Sequence, residues 1–223
     1  MTVRVAVVGA SGRLGAVVSR LVREADDLEL VAELDSRSPL DDMLEAEVVV
    51  DVTVPAVSGT VVDFAVGHGL NVLVGTSGWS GERIASLTTK LASLPEQGVV
   101  IIPNFSIGSV LATRFAAMAA RFFDSIEIVE THHLSKVDSP SGTAVRTAEL
   151  IGAARAELGP VVAPHTDQRS RGQQVSSIPI HSLRMQGVAA RQDVVFGGSG
   201  ELLTLSHETL SSSSYEVGVL LAV

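Results

Sequence analysis

One segment decides the fold of the first half of this 223-residue chain: Val5-Ala6-Val7-Val8-Gly9-Ala10-Ser11-Gly12-Arg13-Leu14-Gly15. An apolar run passes through a glycine loop directly into a stretch with helical spacing. The loop, G-x-x-G-x-x-G, is a variant of the dinucleotide fingerprint, in which small residues let backbone amides approach a pyrophosphate at a helix N-terminus. The order strand, loop, helix is the context that this fingerprint requires. The alternative is a tight turn that binds no ligand.

Short apolar runs alternate with helix-like segments as far as residue 105. We predict strands at Arg4–Val8, Glu29–Leu34, Val48–Val54, Asn71–Val74 and Val99–Ile102, and helices at Leu14–Glu24, Val57–His68 and Gly81–Leu94. Continuously apolar strands separated by helices are typical of a parallel sheet that is covered on both faces. The first half is therefore predicted to be a doubly wound α/β sheet.

The pattern changes after Asn104. We predict a helix at Ile107–Phe123, with Leu111, Phe115, Met118 and Phe122 at helical spacing, and a second helix from about Thr143 to Leu158. The predicted strands are Ile126–His132, Ile178–Met185, Val188–Phe196 and Leu202–His207. The predicted loops are a long one at 159–175 and a short one at Ser211–Ser214. Three strands with no helix between them indicate an antiparallel or mixed sheet. The second half is therefore predicted to be a separate α+β lobe.

Composition excludes several classes of protein. With 46% hydrophobic and only 18% charged residues, the chain is too apolar to be disordered. Its 25 acidic and 16 basic residues give a net charge of −9, which argues against nucleic acid or an anionic membrane as the main partner. The absence of cysteine excludes disulfides, thiolate nucleophiles and cysteine metal ligands. No apolar run approaches the roughly 18 residues that span a bilayer, and no basic leader precedes the first strand, so we expect a cytoplasmic protein.

The second predicted strand ends next to Asp35, which lies 20 residues after Gly15. An acidic residue at about this spacing accepts hydrogen bonds from the ribose 2′-hydroxyl and favours NAD. Arg13 or Arg37 could instead pair with a 2′-phosphate, which favours NADP. Because both features are present, we predict that either NADH or NADPH is used.

Two further loops follow predicted strands. Gly75-Thr76-Ser77-Gly78 comes after the fourth strand, and Pro103-Asn104-Phe105-Ser106 comes after the fifth. Ligands bind at the carboxyl ends of the strands in open α/β sheets, but the same residue types are common in ordinary turns. The residues alone leave both interpretations open.

The densest set of reactive side chains lies at a predicted strand-to-helix junction, in the segment Glu130-Thr131-His132-His133-Leu134-Ser135-Lys136-Val137-Asp138-Ser139-Pro140-Ser141-Gly142-Thr143-Ala144. Adjacent strand residues point to opposite faces, so His132 and His133 are poorly placed to share a metal ion, and we predict no metal site. Free amides at the helix N-terminus, together with Lys136, suit a carboxylate, while His132 can move a proton near neutral pH. For Ser141 or Thr143, the alternative role is a helix N-cap.

With this segment included, the sequence resembles the dihydrodipicolinate reductase family of the diaminopimelate–lysine pathway, particularly its actinobacterial form. The resemblance extends from the glycine loop to the chain end, and its most specific part is the block His-His-x-x-Lys-x-Asp-x-Pro-Ser-Gly-Thr. It implies a Rossmann-like dinucleotide-binding domain at 1–105, to which 216–223 returns, and an α+β domain at 106–215 for substrate binding and homotetramer formation. The implied reaction reduces 4-hydroxy-tetrahydrodipicolinate to tetrahydrodipicolinate with loss of water, at the expense of NADH or NADPH.

The resemblance also implies residue roles. His132 is the acid/base residue and Lys136 the proton donor. The residues implied to bind the substrate are His133, Lys136, Ser141, Gly142, Thr143 and Ser77. Those implied to bind the cofactor are Gly9, Ser11, Gly12, Arg13, Leu14, Gly15, Asp35, Gly75, Thr76, Ser77, Pro103, Asn104 and Phe105. Pyridine-2,6-dicarboxylate resembles the planar product and is expected to inhibit.

The chain departs from the family pattern in several places. Ser77 stands where Thr is usual, Ser139 where Ala is usual, and the Arg common near Ser212 and the His common at Arg191 are absent. The family also usually continues about one helix beyond Val223. The missing Arg near Ser212 is the one feature that supports an alternative, a nicotinamide-nucleotide-binding paralogue that acts as a redox sensor. A second alternative is a related imine or semialdehyde dehydrogenase, against which the His-His-Lys and Ser-Gly-Thr residues argue because they suit two carboxylates.

Overall fold

The structure, a computed structural model, describes residues 2–223. The chain forms two compact units. The first unit comprises the residues up to Phe105 together with Tyr215–Val223, and the second comprises Ser106–Ser214. Each unit has its own sheet and is described by itself.

The first unit is a five-stranded parallel sheet with helices. Its strands are β1 (Val3–Val8), β2 (Leu28–Leu34), β3 (Val48–Asp51), β4 (Asn71–Val74) and β5 (Val99–Ile101), and its helices are α1 (Arg13–Glu24), α2 (Pro55–Gly67), α3 (Gly81–Leu91) and the last helix of the chain, Glu216–Ala222. The strand order is β2-β1-β3-β4-β5, and every adjacent pair is parallel. The predicted doubly wound α/β sheet is confirmed.

The apolar strands of this sheet are buried on both faces. Val5 and Val7 pack in one hydrophobic cluster with α1, while Ala6 and Val8 pack in another with α2. This two-sided burial explains why the strands are continuously apolar instead of alternating with polar residues. The prediction of a strand as far as Val54 was wrong. The side chain of Asp51 accepts hydrogen bonds from the backbone N–H and hydroxyl of Thr53, which ends β3 and turns the chain into α2.

The second unit is built on a mixed sheet. Its elements are α4 (Ile107–Ala119), β6 (Ser125–His132), α5 (Gly142–Ala154), β7 (Gln173–Val175), β8 (Ile178–Arg184), β9 (Ala190–Gly198) and β10 (Glu201–Thr209), so the chain's last helix is α6. The strand order is β10-β9-β6-β8-β7. Only the pair β6 and β8 is parallel, and the other three pairs are antiparallel. The predicted mixed sheet is confirmed.

Several predicted boundaries in this unit were wrong. The predicted loop at 159–175 contains the edge strand β7, whose three residues are too few to show a period in the sequence. The tetraserine is not simply a loop, because Ser212–Tyr215 forms a short 3₁₀ helix in which the Ser214 hydroxyl donates to the carbonyl of Ser211 at 2.9 Å. Both long helices also end earlier than predicted, and each is followed by a single 3₁₀ turn.

Helix α4 does not bury its large apolar side chains in this unit. The residues predicted at helical spacing are exposed, with fractions of 47% for Leu111, 49% for Phe115, 69% for Met118 and 81% for Phe122. The buried face instead carries small residues such as Ala116, which belongs to the same hydrophobic cluster as Ala144 and Ala148 of α5. Small residues on facing helices allow a close approach, so the large side chains lie on the outside.

Candidate functional site

The glycine loop between β1 and α1 has no room for a side chain at two of its glycines. Gly9 has a φ of +91°, and a Cβ there would lie 2.7 Å from the carbonyl oxygen of Val52. A Cβ on Gly15 would lie 2.1 Å from the carbonyl oxygen of Gly9. Both contacts are with backbone atoms, which cannot yield as a flexible side chain would. The loop therefore requires glycine at these positions and presents bare backbone.

The N-terminus of α1 is suited to binding an anion. Its N-cap, Gly12, provides no side-chain acceptor, and the first turn contains no acidic residue. Backbone N–H groups and the positive end of the helix dipole are therefore not neutralised by the helix's own side chains. Arg13 and Ser11 are exposed beside them, whereas Leu14 packs against the core. These residues fit the pyrophosphate of a nicotinamide dinucleotide.

Asp35 directly follows Leu34, a residue that is hydrogen-bonded to the glycine loop. The backbone N–H groups of Gly9 and Ala10 both donate to the carbonyl of Leu34, at 2.8 and 3.1 Å. The Asp35 carboxylate accepts from the backbone N–H of Arg37 at 2.8 Å and from its guanidinium at 3.1 Å. These hydrogen bonds, the backbone one first, hold the pKa of Asp35 below its usual value. Asp35, which was predicted to favour NAD, thus forms an ion pair with Arg37, one of the two residues predicted to favour NADP.

Two predicted loops meet at the carboxyl ends of neighbouring strands. A Cβ on Gly75 would lie 2.5 Å from the ring of Phe105, which is itself buried. Thr76 is buried and its hydroxyl donates to the carbonyl of Asp51 at 3.4 Å, whereas Ser77 is exposed. Pro103 is exposed and Asn104 is partly buried. The loops after β4 and β5 therefore pack closely against each other and expose polar groups at the surface.

In the second unit, the end of β6 places the imidazole of His132 against the carboxylate of Glu130. The Nδ1 atom of His132 lies 2.6 Å from Oε2 of Glu130. The two residues are separated by one position on a strand, so their side chains share one face of the sheet. His133 has a different environment, because its Nδ1 lies 2.8 Å from the hydroxyl of Ser135. The two adjacent histidines thus have separate hydrogen-bond partners.

Glu130 and Arg184 complete this cluster, and neither was assigned a role from the sequence. Glu130 is fully buried, and the guanidinium of Arg184 lies 3.0 Å from its Oε2 and 3.1 Å from its Oε1. Arg184 also donates to the carbonyl of Asp138 at 2.6 Å, which ties the loop after β6 to β8. The alternation of side chains along β6 is a signal in the sequence from which the position of Glu130 beside His132 could have been predicted. By contrast, the register that pairs His132 with Arg184 requires the sheet topology.

The Glu130 carboxyl is strongly acidic. Its burial alone would raise the pKa, but hydrogen bonds from His132, Arg184 and Ser182 outweigh that effect and lower the pKa to about 2. The group is therefore ionised throughout the neutral range, and a carboxylate without a proton is only an acceptor.

This shift predicts a dependence of stability on pH. The folded pKa lies below the ordinary value of 4.5, so ionised Glu130 stabilises the fold above about pH 4.5, and this contribution disappears as the pH falls towards 2. Its size is on the order of 3 kcal/mol. Urea unfolding of wild type and Glu130→Gln should differ by this amount at about pH 6 and by much less at about pH 3. Glu149→Gln, on the exposed face of α5, is the matched control; equal differences at both pH values would contradict the prediction.

The loop after β6 also fixes Lys136 and the start of α5. The ammonium of Lys136 lies 2.8 Å from Oδ1 of Asp138, and only 20% of the lysine side chain is exposed. Ser141 is buried and its hydroxyl accepts from the N–H of Ala144 at 3.2 Å, so the N-cap role is confirmed for Ser141. Gly142 is exposed, and a Cβ there would meet nothing within 4 Å. The beginning of α5 is thus open at Gly142, beside the partly buried Thr143.

Neither a metal centre nor a membrane span is found in the described part of the chain. Residues 2–223 contain no group of three or more His, Asp or Glu side chains arranged to hold a metal ion. Within the same range, no helix is both long enough and apolar enough to cross a bilayer.

Comparison with known proteins identifies the family of this chain. The family profile described as dihydrodipicolinate reductase, N-terminus, matches residues 3–105, and the profile described as dihydrodipicolinate reductase, C-terminus, matches residues 108–223. The chain belongs to the dihydrodipicolinate reductase family.

Relatives within the dihydrodipicolinate reductase family cover the whole chain. The 4-hydroxy-tetrahydrodipicolinate reductase of Clavibacter sepedonicus is 67% identical over 223 residues, which are 100% of this chain and 80% of that protein. The reductase of Streptomyces griseus is 49% identical over 226 residues, covering 99% of this chain and 90% of that protein. A solved structure of dipicolinate-bound dihydrodipicolinate reductase from Paenisporosarcina sp. TG-14 matches with a TM-score of 0.82 and 31% identity, covering 100% of this chain and 93% of that chain.

Proposed function

We propose that this protein reduces 4-hydroxy-tetrahydrodipicolinate to tetrahydrodipicolinate with loss of water, using NADH or NADPH, in the diaminopimelate route to lysine. Membership of the family and the length of chain shared with its curated reductases support this reaction. The observation that carries it is the strand-to-helix segment of the second unit, where the imidazole of His132, the ammonium of Lys136 and the open start of α5 belong to one short stretch.

In this proposal, the first unit holds the cofactor, which supplies the hydride when bound. The bare backbone of the glycine loop and the α1 N-terminus accommodate the pyrophosphate, with Arg13 adding positive charge. Asp35 and Arg37 face the adenosine ribose. The residues proposed to border the nicotinamide are Gly75, Thr76, Ser77, Pro103, Asn104 and Phe105.

In the second unit, the same proposal assigns carboxylate binding to His133, Lys136 and the N-terminal residues of α5. The two carboxylates of the substrate need local positive charge because the chain as a whole carries a net charge of −9. Gly142 and Thr143 offer the N-terminus of α5, and Ser141 holds that terminus in shape by capping it. His132 and Lys136 supply the protons that the reduction and the departure of water require.

The test is a coupled assay in which dihydrodipicolinate synthase generates the substrate while consumption of NADPH and NADH is followed by absorbance. We expect both cofactors to be consumed only when the synthase is present. Measurable NADPH binding without consumption would favour the redox-sensor alternative. Consumption with a semialdehyde or another imine, but not with the synthase product, would favour the related dehydrogenase.

Asp35→Ala is expected to raise the KM for NADH by about tenfold or more, because a charged acceptor for the ribose hydroxyl is lost. The KM for NADPH should change far less, since Arg37 is released from its ion pair and stays available for a 2′-phosphate. Steady-state kinetics with each cofactor measure both values. Asp26→Ala, at an exposed position of the same unit, is the control. An unchanged KM for NADH would show that Asp35 does not contact the ribose.

We also propose that pyridine-2,6-dicarboxylate inhibits competitively with the substrate, because its two carboxylates meet the same cationic groups. The related structure from Paenisporosarcina has dipicolinate bound. A homotetramer and a cytoplasmic location complete the proposal. Large exposed apolar side chains of the second unit, among them Phe122 and Leu202, support association between copies of this chain. Light scattering on the purified protein measures the assembly.

A further inference from the structure

Four residues, from three parts of the second unit, donate hydrogen bonds to the carboxylate of Glu130 or face it. Its Oε2 faces Nδ1 of His132 at 2.6 Å and the guanidinium of Arg184 at 3.0 Å. Its Oε1 accepts from the same guanidinium at 3.1 Å and from the backbone N–H of Ser141 at 3.2 Å. Ser182 is the fourth residue that forms a hydrogen bond with this carboxylate. One buried side chain therefore joins β6, β8 and the first residue of the α5 cap.

We propose that Glu130 is the positioning residue of His132 and that it fixes the tautomer in which Nδ1 carries the proton and Nε2 faces the substrate. This inference rests on the proposed function for the identity of that substrate. It does not follow from the assignment of His132 alone, because either ring nitrogen of a histidine can carry out proton transfer.

The chemistry of the acceptor decides the tautomer. A carboxylate has no proton to give, so the nitrogen of a neutral imidazole that lies 2.6 Å from it must be the one that carries hydrogen. Nε2 is then the unprotonated nitrogen, which takes up a proton and becomes the donor in the charged imidazole. The Glu130 contact also holds the imidazole in one orientation, because the hydrogen bond made by one ring nitrogen sets the state of the other.

Arg184 has a supporting role in this arrangement. It balances the buried charge of Glu130, and its hydrogen bond to the carbonyl of Asp138 fixes the loop that contains Lys136. A buried carboxylate without such a partner would be strongly destabilising. Arg184 thus couples the position of the His132 imidazole to that of the loop that carries the second proposed proton donor.

Glu130→Gln provides a sharp test, because the environment dictates how the amide is oriented. The N–H of Ser141 and Nη2 of Arg184 both donate to Oε1, whereas Nη1 of Arg184 lies 3.1 Å from Oε1 and 3.0 Å from Oε2 and so favours neither side. The single amide oxygen is therefore drawn to the Oε1 side. The amide NH₂ group then faces Nδ1 of His132 and can only donate to it. The proton of the neutral imidazole must therefore move to Nε2.

The experiment measures the His132 tautomer in the chain without ligands, by long-range ¹H–¹⁵N spectroscopy above the histidine titration range. The His132→Asn spectrum identifies the signals among the six histidines. We expect Nδ1–H in the wild type and in Glu130→Asp, and Nε2–H in Glu130→Gln. The kcat of Glu130→Gln should fall about 10²–10⁴-fold, while the KM for the substrate changes by less than about threefold.

Glu127→Gln is the matched control. Glu127 lies on the same strand and also contacts a histidine and an arginine, with His181 Nε2 and Arg171 Nη2 each 2.5 Å from its carboxylate oxygens. This variant should leave kcat and the His132 tautomer unchanged. A wild-type Nε2–H tautomer, or a Glu130→Gln protein with the wild-type tautomer and kcat, would overturn the inference. If the wild type does not reduce the substrate at all, the proposed function fails, and the tautomer measurement still decides the role of Glu130.

Discussion

Lys136→Ala and His132→Ala should each lower kcat by about 10²–10⁴ while the Kd for NADPH stays unchanged, because each variant removes a proposed proton donor and leaves every residue of the first unit as it is. Lys136 is held by Asp138 at 2.8 Å, so its ammonium is already placed before any ligand binds. Steady-state kinetics give kcat, and fluorescence titration gives the cofactor Kd.

A second substitution separates the two proposed roles of Lys136. Lys136→Arg keeps a positive charge for a carboxylate but offers a guanidinium that does not release its proton, so we expect a nearly normal KM with a low kcat. Lys90→Ala is the matched control, because Lys90 forms a similar ion pair with Asp63 at 2.9 Å in the first unit. Turnover close to that of the wild type in Lys136→Ala or His132→Ala would contradict the assignment.

The fold of the first unit could be predicted from the sequence because the residues that determine it lie close together along the chain. Val5 to Val8 are apolar on both sides of the strand, and the glycine loop follows at once, so strand, turn and helix are specified within a dozen residues. Gly9 and Gly15 add the requirement for bare backbone. A pattern of this kind needs no knowledge of distant contacts.

The second unit was less predictable because its determinants are distant. Glu130 lay within the segment singled out for its chemistry, yet its partner Arg184 is 54 residues away and is brought to it only by the parallel pairing of β6 with β8. Helix α4 shows the same limit. The spacing of Leu111 and Phe115 predicts a helix correctly, but which face is buried depends on α5, and that face proved to be the one with small residues.

Gly15→Ala is expected to raise the Kd for NADPH by about 100-fold or more. The added Cβ would lie 2.1 Å from the carbonyl oxygen of Gly9 and 2.7 Å from Cα of Ala10, so the backbone of the loop must move. Overpacking of this kind also lowers the free energy of unfolding by about 1–3 kcal/mol. Isothermal titration with NADPH measures the first effect, and urea unfolding measures the second.

Two other glycines make this prediction specific. Gly67, at the end of α2, has nothing within 4 Å of an added Cβ, so Gly67→Ala should bind NADPH normally and be at least as stable as the wild type. Gly12→Ala would place its Cβ 3.2 Å from the carbonyl oxygen of Gly9 alone, a contact that a small adjustment relieves. That protein should therefore be less destabilised than Gly15→Ala, yet a methyl group at the N-cap of α1 should weaken NADPH binding. Normal NADPH affinity in both Gly12→Ala and Gly15→Ala would show that the cofactor does not lie on this loop.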